Sequence, residues 1–435
     1  MKYRFLFILL FAVNAIFAQT EVYYFKDVDA NLELKDLREK EFQLLDEQIL
    51  ERHSDIVFWF KVPKYQTEEE YIIRFEYDRI TNVKAYQSNK EINKLPNERY
   101  RSYQFSRDED VYIRVVPKLH AYIPVNLNTE TDSILRDRKH LLINGFYYGF
   151  AFLIMIYSFS YSFVFKDETF FHYTFLLLSV SFGLFIMDGM LNFLEFSEET
   201  NDFLMTLNYL VLAFFSGKFA NSYMFLDNFY PSHKKFSYSI GCTAIVFAVL
   251  YLVYKNYYFL LIVNILVFTI ISTYWVYAVL LFRKTIYIKL LVFADTLILF
   301  SAIDFFVLKF LGVCVVDINA MTIKIGCFLE MIVLSVAVLY RMRVLKGENE
   351  FMKNEIIKFS AELKDSPKEK LDLLSSRERE IFNLIIDIKT NKEIASELNV
   401  SINTVKFHIK NIYEKLDIKS RKEAYSIAEK AMNKG

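Results

Sequence analysis

The residues best suited to chemistry lie near the C-terminus, on one face of a helix predicted over residues 402–416. The apolar side chains of this helix fall together and would pack inward: Val405, Ile409, Ile412 and Leu416. The opposite face and its flanks carry polar, basic and aromatic side chains: Asn403, Thr404, Lys406, Phe407, Lys410, Asn411 and Glu414. Such groups suit the phosphates and base edges of a DNA major groove. The pattern indicates a DNA-binding helix, with an ordinary solvated face as the alternative.

A second set of reactive side chains lies inside long apolar segments of the chain. Its members are Asp188, Lys218, Asp295, Asp304, Lys324 and Glu330. Ionisable groups are costly inside a membrane, so each needs a partner or a function. Pairing between helices is one interpretation, for example Lys218 with Asp295 or Asp304. A proton or ion path is the other, and it would make the chain a transporter or channel.

The sequence lacks the residue patterns of common enzymes. It has no His-Glu-x-x-His or Gly-x-Ser-x-Gly motif, no phosphate-binding glycine loop and no kinase histidine box. The three cysteines all lie in the apolar middle of the chain, which excludes a disulfide scaffold: Cys242, Cys314 and Cys327. We therefore expect no enzyme activity, no catalytic residue, no metal site and no cofactor.

Four predicted helices position the polar face described above. They lie near 376–388, 391–398, 402–416 and 421–432. Three capping boxes pair a hydroxyl at the N-cap with a carboxylate three residues later: Ser375-x-x-Glu378, Thr390-x-x-Glu393 and Ser420-x-x-Glu423. Ser401 supplies a fourth N-cap, and Asn399-Val-Ser401 is a turn short enough for a helix-turn-helix.

These segments resemble the LuxR-type DNA-binding domain over residues 372–432. The matching segments are Leu374-Ser-Ser-Arg-Glu-Arg-Glu380, Asn391-Lys-Glu-Ile-Ala395, Val400-Ser-x-x-Thr-Val-Lys-x-His408 and Lys415-Leu-x-Ile-Lys-Ser-Arg421. The resemblance implies that the third helix enters the major groove, with Lys406, Phe407 and Lys410 at base-contacting positions. It places Thr404, Asn411 and Lys392 nearer the phosphates. It also implies dimers formed through the fourth helix, around Ala424 to Ala428.

Two positions depart from that family pattern, and the charge of the domain is low. Ile388 and Asp417 stand where the family commonly has glycine, which affects loop geometry more than the polar face. Residues 372–435 hold 12 basic and 10 acidic side chains. Because affinity for DNA follows phosphate neutralisation, one copy should bind weakly. We therefore expect a homodimer on double-stranded DNA.

Hydropathy divides the chain into polar flanks and an apolar middle. Basic and acidic residues number 52 each among 435 residues, so the net charge indicates no partner. Seven apolar segments approach or exceed the roughly 20 residues that span a bilayer: 141–165, 169–189, 203–226, 237–254, 257–282, 286–308 and 320–340. This arrangement excludes a purely soluble enzyme and a disordered chain.

The loops between these segments predict an orientation. The loops assigned to the cytoplasm hold eight basic residues, whereas the outer loops between spans hold only Lys255 and Lys309. Basic residues favour the cytoplasmic side. Arg136, Arg138 and Lys139, before the first span, run against this rule. The pattern predicts a multi-pass inner-membrane protein in contact with the lipid bilayer, with a periplasmic N-terminal region and a cytoplasmic C-terminal region.

The N-terminus has the pattern of a secretory signal peptide. A basic start, Met1-Lys-Tyr-Arg4, precedes an apolar run from Phe5 to Phe17, and Ala18-Gln19 offers a cleavage site. Ile16 is larger than the residue usually found there. An uncleaved membrane anchor is the alternative, and both interpretations export the next segment.

Residues 19–138 show the period-two alternation of a half-buried antiparallel sandwich. One side of the strand near 71–77 would be apolar, whereas the other carries Arg74 and Glu76. The strand segments are Val57-Phe-Trp-Phe-Lys-Val62, Tyr71-Ile-Ile-Arg-Phe75, Val83-Lys-Ala-Tyr86, Val111-Tyr-Ile-Arg-Val115 and Ala121-Tyr-Ile-Pro-Val125.

The strand segments and the seven spans resemble bacterial seven-transmembrane receptors with diverse intracellular signalling modules. The resemblance implies a jelly-roll-like sensor domain that binds a carbohydrate or another small solute. Tyr100, Tyr103 and Tyr122 are candidates to stack on a sugar ring. The alternative is that they are ordinary core or rim aromatics.

A heptad pattern continues from the last span into the polar C-terminal region. Two series repeat every seven residues: Val338, Leu345, Met352 and Phe359, with Met342, Asn349, Ile356 and Leu363. A parallel coiled-coil dimer is one interpretation. A single amphipathic helix that packs on the next domain is the other.

The sequence thus predicts a multidomain protein. Its predicted parts are a signal peptide (1–18), an exported all-β sandwich (19–138), a seven-helix transmembrane bundle (139–343), a coiled-coil-like linker helix (344–371) and an all-α four-helix LuxR-type helix-turn-helix domain (372–435). We expect a membrane-embedded one-component transcription regulator that senses a periplasmic or membrane signal. The alternatives are a transporter or channel, and a signalling scaffold whose C-terminal domain binds protein. Proteolytic release of the DNA-binding domain would be a variant of the main expectation.

Overall fold

A computed structural model describes residues 21–46, 48–52, 56–118, 121–313, 315, 320–364 and 371–432. The predicted signal peptide lies outside these residues. The chain divides into two units, Met1–Tyr340 and Arg341–Gly435, and each is described by itself.

Within the described residues, the N-terminal part of the first unit forms two antiparallel sheets. The strands are β1 (Tyr23–Asp27), β2 (Gln43–Leu44), β3 (Gln48–Glu51), β4 (Val57–Val62), β5 (Glu70–Phe75), β6 (Asn82–Gln87), β7 (Lys90–Ile92), β8 (Arg101–Ser106), β9 (Val111–Val116) and β10 (Ala121–Thr129). One sheet has the order β2-β1-β4-β9-β6-β7 and the other β3-β10-β5-β8. All five strand segments predicted from alternation are present, which confirms the all-β character of this region.

Both of the faces that the alternation of β5 separates are buried. Arg74 is 3 % exposed, and its neighbours Ile73 and Phe75 are fully buried on the other face. Its guanidinium donates to Glu98 at 2.7 Å and to Ser102 at 3.2 Å, and Asp137 lies 3.9 Å away. A buried arginine needs such acceptors, because an unpaired buried charge is costly. Carboxylates from a loop and a helix therefore cover the Arg74 side of the strand.

Among the residues described, seven helices are long and apolar enough to cross a membrane, and the last of them continues from the first unit into the second. They are α1 (Glu130–Phe165), α2 (Glu168–Met187), α3 (Glu198–Met224), α4 (His233–Tyr254), α5 (Tyr257–Leu280), α6 (Ile286–Ile303) and α7 (Ala320–Lys364). Helix α1 follows β10 directly. Thr129, the last residue of β10, caps the helix by accepting a hydrogen bond from the Asp132 N–H. Helix α6 continues as a π-helical turn, Asp304–Leu308. The structure confirms the predicted number and order of the spans.

Two glycines let the sheets approach the helix ends closely. Gly189, after α2, has φ +69°, and a Cβ there would lie 2.3 Å from the carbonyl oxygen of Arg99. Gly312, after α6, has φ +72°, and a Cβ there would lie 2.6 Å from the backbone nitrogen of Arg52. Only glycine fits both the left-handed conformation and the close backbone contact. The sheets and the bundle are therefore packed against each other, which suits mechanical coupling between them.

The three tyrosines considered for sugar stacking are not free on the surface. Tyr103 is buried, and its hydroxyl donates to the Val83 carbonyl at 2.7 Å. Tyr122 is buried against Phe305, with ring centroids 5.9 Å apart. Tyr100 is half-buried, and its hydroxyl donates to the Met187 carbonyl at 3.2 Å. The stacking interpretation is therefore wrong for Tyr103 and Tyr122, which are core aromatics.

The second unit contains a four-helix domain with its own apolar core. After the end of α7, its helices are α8 (Ser376–Ile386), α9 (Asn391–Glu397), α10 (Ile402–Leu416) and α11 (Arg421–Met432). The core joins side chains from all four helices, including Ile381, Ile394, Ile412 and Ala424, each fully buried. The four predicted helices are confirmed, with their ends shifted by no more than two residues.

Candidate DNA interface and intramembrane polar sites

Side-chain caps set where the helices of the C-terminal domain begin. Ser375 and Thr390 each accept from the N–H of the glutamate three residues on, and each glutamate carboxylate accepts from the N–H of its cap residue. Ser401 accepts from the Thr404 N–H at 3.1 Å and starts α10. These caps satisfy N–H groups that a helix start otherwise leaves unpaired. The predicted capping boxes at Ser375 and Thr390 and the cap at Ser401 are confirmed. At Ser420 the Glu423 carboxylate instead accepts from the Lys419 N–H and the Ser420 hydroxyl.

One face of α10 is anchored in the domain core. Val405, Ile412 and Leu416 are at most 1 % exposed, and Ile409 is partly buried against the same core. The turn before α10 includes Asn399 with φ +50°, a conformation that asparagine tolerates better than most residues. Packing and turn together fix which side of α10 faces outward.

The outward face carries the side chains predicted to contact DNA. Thr404, Lys406, Phe407 and Lys410 are exposed on α10, and Asn411 is half-buried at its flank. Phe407 is 60 % exposed, so its ring is accessible to a partner. Lys392 is exposed on α9. The structure therefore presents Lys406, Phe407 and Lys410 together on one helix face.

The cations on this face are available to a partner. The Lys410 ammonium lies 3.7 Å from the Glu414 carboxylate, and both side chains are largely exposed. Such surface pairs contribute about 0–1 kcal/mol, so an incoming phosphate or base can displace this one. The face therefore has the hydrogen-bond donors and the freedom of movement that nucleic acid contact needs.

An ion pair that the sequence did not reveal holds α10 against α8. The Lys415 ammonium lies 2.6 Å from the Glu378 carboxylate, which is 5 % exposed. The sequence identified Glu378 only as a capping residue, because nothing local links positions 37 residues apart. The hydrogen bond from Lys415, followed by that from the Ser375 N–H, lowers the pKa of Glu378 from 4.5 to about 2. Glu378 thus has a structural role behind the exposed face.

We expect the C-terminal domain to lose stability in acid through Glu378. Folding lowers this pKa, so the carboxylate stabilises the fold fully above pH 4.5, and its contribution disappears as pH falls towards 2. Urea unfolding of residues 341–435 at several pH values should show this slope, and Glu378→Gln should flatten it. The exposed Glu380→Gln on the same helix is the matched control. An equal slope in wild type and Glu378→Gln would contradict the assignment.

The two departures from the family pattern both sit in left-handed backbone. Ile388 has φ +65° and Asp417 has φ +54°, the region where glycine is favoured. A β-branched residue is especially strained there. Both positions therefore keep a left-handed backbone, although neither residue is a glycine.

Ile388→Gly should stabilise the domain. The left-handed conformation costs a non-glycine residue roughly 1–2 kcal/mol, and the added chain entropy of glycine offsets about 0.5–1 kcal/mol of that. Ile388 is 77 % exposed, so little packing is lost. We expect a net gain of about 0.5–1 kcal/mol in the free energy of unfolding. Asn399→Gly, at φ +50°, is the control with little expected change; a destabilised Ile388→Gly would show that the side chain packs.

Within the bundle, Lys324 is paired with Asp188. The Lys324 ammonium lies 2.8 Å from Asp188 Oδ1 and also donates to Asn144, while the Tyr148 hydroxyl donates to Asp188 Oδ2. Lys324 and Asp188 are 5 % and 2 % exposed. This cluster joins α1, the end of α2 and α7. We expected ion pairs between helices, and this is one. It joins residues other than those suggested from the sequence.

Lys218 does not form the pairs suggested from the sequence. Among the described residues no ion pair joins it to Asp295 or Asp304, and its ammonium lies 5.5 Å from the centre of the Phe214 ring. Asp304 lies in the π-helical turn, where Oδ1 accepts from the Val315 N–H at 3.3 Å. Asp295 of α6 and Glu330 of α7 line the same cavity inside the bundle. The structure thus separates the six residues into a salt bridge, two carboxyl groups on one cavity and two single sites.

Two parts of the chain match known families. Residues 140–341 match the family described as "7TM diverse intracellular signalling", and residues 372–428 match "Bacterial regulatory proteins, luxR family". These matches cover most of the bundle, three helices of the C-terminal domain and the fourth helix up to residue 428. They agree with the seven spans and the helix-turn-helix geometry above.

Curated relatives match the C-terminal domain. The chain is 54 % identical over 52 residues to "Spore germination protein GerE" of Bacillus subtilis, covering 12 % of this chain and 70 % of that protein. It is 43 % identical over 81 residues to "Transcriptional regulatory protein LiaR" of the same organism, covering 18 % of this chain and 38 % of that protein. It is 44 % identical over 59 residues to "HTH-type transcriptional regulator MalT" of Vibrio cholerae, covering 14 % and 6 %. The chain therefore belongs to the luxR family of bacterial regulatory proteins and joins that family's helix-turn-helix domain to a seven-transmembrane signalling domain.

Proposed function

We propose that this membrane-bound transcription regulator works as a one-component system, in which a single chain both senses a signal and binds double-stranded DNA. The observation that carries the proposal is the exposed face of α10, backed by the domain's own core. Its Lys406, Phe407 and Lys410 would contact base edges in the major groove. Thr404, Asn411 and Lys392 would lie nearer the phosphates.

A homodimer would raise the DNA affinity of this weakly basic domain. Four apolar side chains on the C-terminal part of α7 are at least 51 % exposed in the single chain: Phe351, Met352, Ile356 and Ile357. Met352 and Ile356 occupy predicted heptad positions, where a second helix would cover them. Two domains side by side would also define the spacing of paired half-sites.

The bundle would lie in the inner membrane, with the sheets in the periplasm and the C-terminal domain in the cytoplasm. The excess of basic residues in the loops on one side supports this orientation. Large apolar side chains are exposed along the spans and would meet lipid, such as Phe293 on α6, which is 83 % exposed.

A small polar solute would bind where the sheets meet the helix ends. A cavity of about 100 Å³ lies there, with charged side chains that include Asp78, Arg79 and Lys118 from the sheet side and Asp202 from α3. Lys118 is 3.2 Å from Asp202, and burial raises the pKa of Asp78 to about 6. Cavities of 150 Å³ hold benzene, so this one suits a solute smaller than a sugar ring. A carbohydrate would need another surface of the periplasmic domain.

Selection from random duplex DNA by purified residues 341–435 tests the DNA-binding proposal. We expect enrichment of paired half-sites at low salt. A folded dimer that enriches nothing would favour the alternative of a scaffold that binds protein.

Two other experiments test the remaining alternatives. A single full-length band in membranes from signalling cells would argue against proteolytic release. Unchanged ion-coupled uptake in Asp295→Asn or Asp304→Asn would argue against a transporter.

A further inference from the structure

The cavity where the sheets meet the helix ends takes its lining from both parts of the first unit. Arg79 lies in the loop between β5 and β6, Arg101 begins β8, and Lys118 follows β9. The helical side contributes Asn192, between α2 and α3, and Asn201, near the start of α3. A molecule bound here would therefore touch the sheets and the bundle at once.

The acidic residues on the helical side of the cavity are already paired. The Asp202 carboxylate of α3 lies 3.2 Å from the Lys118 ammonium and 3.3 Å from the Lys255 ammonium. Glu198, one turn earlier on α3, lies 3.4 Å from the Lys118 ammonium. Two cations and two carboxylates thus balance each other. This side of the cavity leaves no net charge for a ligand to neutralise.

The sheet side of the cavity carries an excess of positive charge. Arg79 and Arg101 both line the cavity and are half-buried. Among the described residues, no ion pair joins either arginine to a carboxylate, whereas Arg74 and Arg99 nearby are both paired. Asp78 adds one more carboxylate to the lining. Arginine stays charged in proteins, so two guanidinium groups accompany a single carboxylate, and a ligand with one negative charge would balance them.

The shape of the guanidinium groups and the rest of the lining favour a carboxylate. The planar fork of arginine matches the two oxygens of a carboxylate in a bidentate contact. A phosphate also fits this fork, but it has no carbon atoms. Four apolar side chains complete the lining and would contact the carbon atoms of an organic acid: Ile186, Leu191, Phe196 and Met205.

A buried acceptor indicates a second group on the ligand. The side-chain oxygen of Asn201 is buried and has no hydrogen-bond partner among the described residues, and Asn201 lines the cavity. Leaving such an acceptor unpaired is costly. An ionised carboxylate cannot satisfy it, because it has no proton to donate. A hydroxyl beside the carboxylate can donate one. An ammonium group could donate as well, but it would cancel the single negative charge.

The volume of the cavity limits the size of this ligand. The cavity measures about 100 Å³. Since a cavity of 150 Å³ holds the six carbons of benzene, this one holds roughly four or five non-hydrogen atoms. Five atoms are enough for a two-carbon acid with one hydroxyl. A larger hydroxy acid with several carboxylates would fit neither the volume nor the charge.

We propose that this cavity binds a small α-hydroxy carboxylate of the size of glycolate, with its carboxylate on Arg79 and Arg101 and its hydroxyl donating to Asn201. The inference rests on the polar-solute site proposed above and names the class of ligand. Arg79 and Arg101 belong to the sheets, whereas Asn201 belongs to α3. The bound acid would therefore favour the arrangement in which both parts reach it.

Calorimetric titration of the full-length protein in lipid nanodiscs tests the proposal, with empty nanodiscs subtracted. Glycolate is the probe. Acetate lacks the hydroxyl, glycolamide lacks the charge, glycine has an ammonium group in place of the hydroxyl, and phosphate lacks the carbon atoms. We expect saturable binding of glycolate at least ten times tighter than that of each comparison molecule, because a site built around a hydroxyl rejects the analogue without it.

Substitutions locate the binding site. Arg101→Gln should weaken glycolate binding at least tenfold, because it removes a charge-assisted contact. Arg114→Gln is the matched control and should leave binding unchanged. Arg114 of β9 is also half-buried on a strand, but it does not line the cavity. Arg79→Gln should act like Arg101→Gln and decides the question if that variant does not fold. Asn201→Ala should abolish the preference for glycolate over acetate without weakening acetate.

The results that would overturn the proposal differ in what else they affect. Glycine, glycolamide or phosphate bound as tightly as glycolate would overturn the ligand class but keep the solute site. Equal losses in Arg101→Gln and Arg114→Gln would place the acid elsewhere on the protein. No saturable binding of any probe would overturn both the ligand class and the solute site. DNA selection by residues 341–435 tests the DNA-binding proposal separately from all of these results.

Discussion

The Lys406→Ala/Lys410→Ala variant should bind its selected DNA site roughly 30-fold more weakly than wild type, or worse. Both side chains are exposed on the outward face of α10. Each lost contact with a base edge or phosphate is worth about 1 kcal/mol or more, and 2 kcal/mol corresponds to roughly 30-fold. Neither side chain packs in the core, so the fold should be preserved. Fluorescence anisotropy with residues 341–435 at several salt concentrations measures the loss.

A control with the same change in net charge makes this test specific. Arg379→Ala/Lys422→Ala also removes two exposed cations from the domain, but neither residue is on α10. We expect it to lose far less affinity. Equal losses in both variants would mean that only the overall charge matters, and the assigned face would be wrong. The salt dependence adds a second readout, because losing a phosphate contact lowers its slope by about one.

Lys324→Met should destabilise the transmembrane bundle by about 3–5 kcal/mol, since removing one partner of a buried ion pair leaves an uncompensated charge. Asp188 would then keep only the hydrogen bond from Tyr148 among the contacts described above. The two partners come from helices far apart in the chain, so their loss should loosen the contact between α2 and α7. Titration of the solubilised full-length protein with a denaturing detergent, followed by circular dichroism, measures the change.

Two further variants test whether Lys324→Met loses stability through the unpaired charge of Asp188 or through lost packing. Asp188→Asn with Lys324→Met removes both charges and should recover much of the stability, because a neutral pair is not penalised in an apolar interior. Lys218→Met is the single-site control, because among the described residues no ion pair joins Lys218 to a carboxylate and its ammonium lies over the Phe214 ring. A Lys324→Met protein as stable as Lys218→Met would show that the Asp188 pair does not hold the bundle together.

The polar sites of the bundle and the heptad positions share one helix. Lys324, Glu330 and Met352 all lie on α7, which is continuous from Ala320 to Lys364. A ligand changes the state of a protein only by binding one arrangement better than another. We propose that a ligand that distinguishes two arrangements of the bundle would act on the heptad positions through this continuous helix.

Local sequence signals predicted the elements of this protein well. Hydropathy identified seven spans because crossing a bilayer requires about 20 apolar residues in a row. Capping boxes at Ser375 and Thr390 marked the helix starts because the cap and its partner are only three residues apart. The periodicity of α10 separated Val405 and Ile412 from Lys406 and Lys410, since a helix has a fixed angle per residue. Each of these properties depends on neighbours in the chain.

Only the tertiary structure decided which side chains meet. Asp188 and Lys324 are 136 residues apart, and Glu378 and Lys415 are 37 apart, so no local pattern links them. The alternation of β5 separated Arg74 from Ile73 and Phe75, but it could not show the carboxylates of Glu98 and Asp137 that bury Arg74, because they come from elsewhere in the chain. Composition and hydrophobic periodicity thus determine whether a segment forms a helix, a strand or a membrane span, because those preferences are local. The pairing of buried charges follows from how the segments pack, because burial removes the water that would otherwise solvate them.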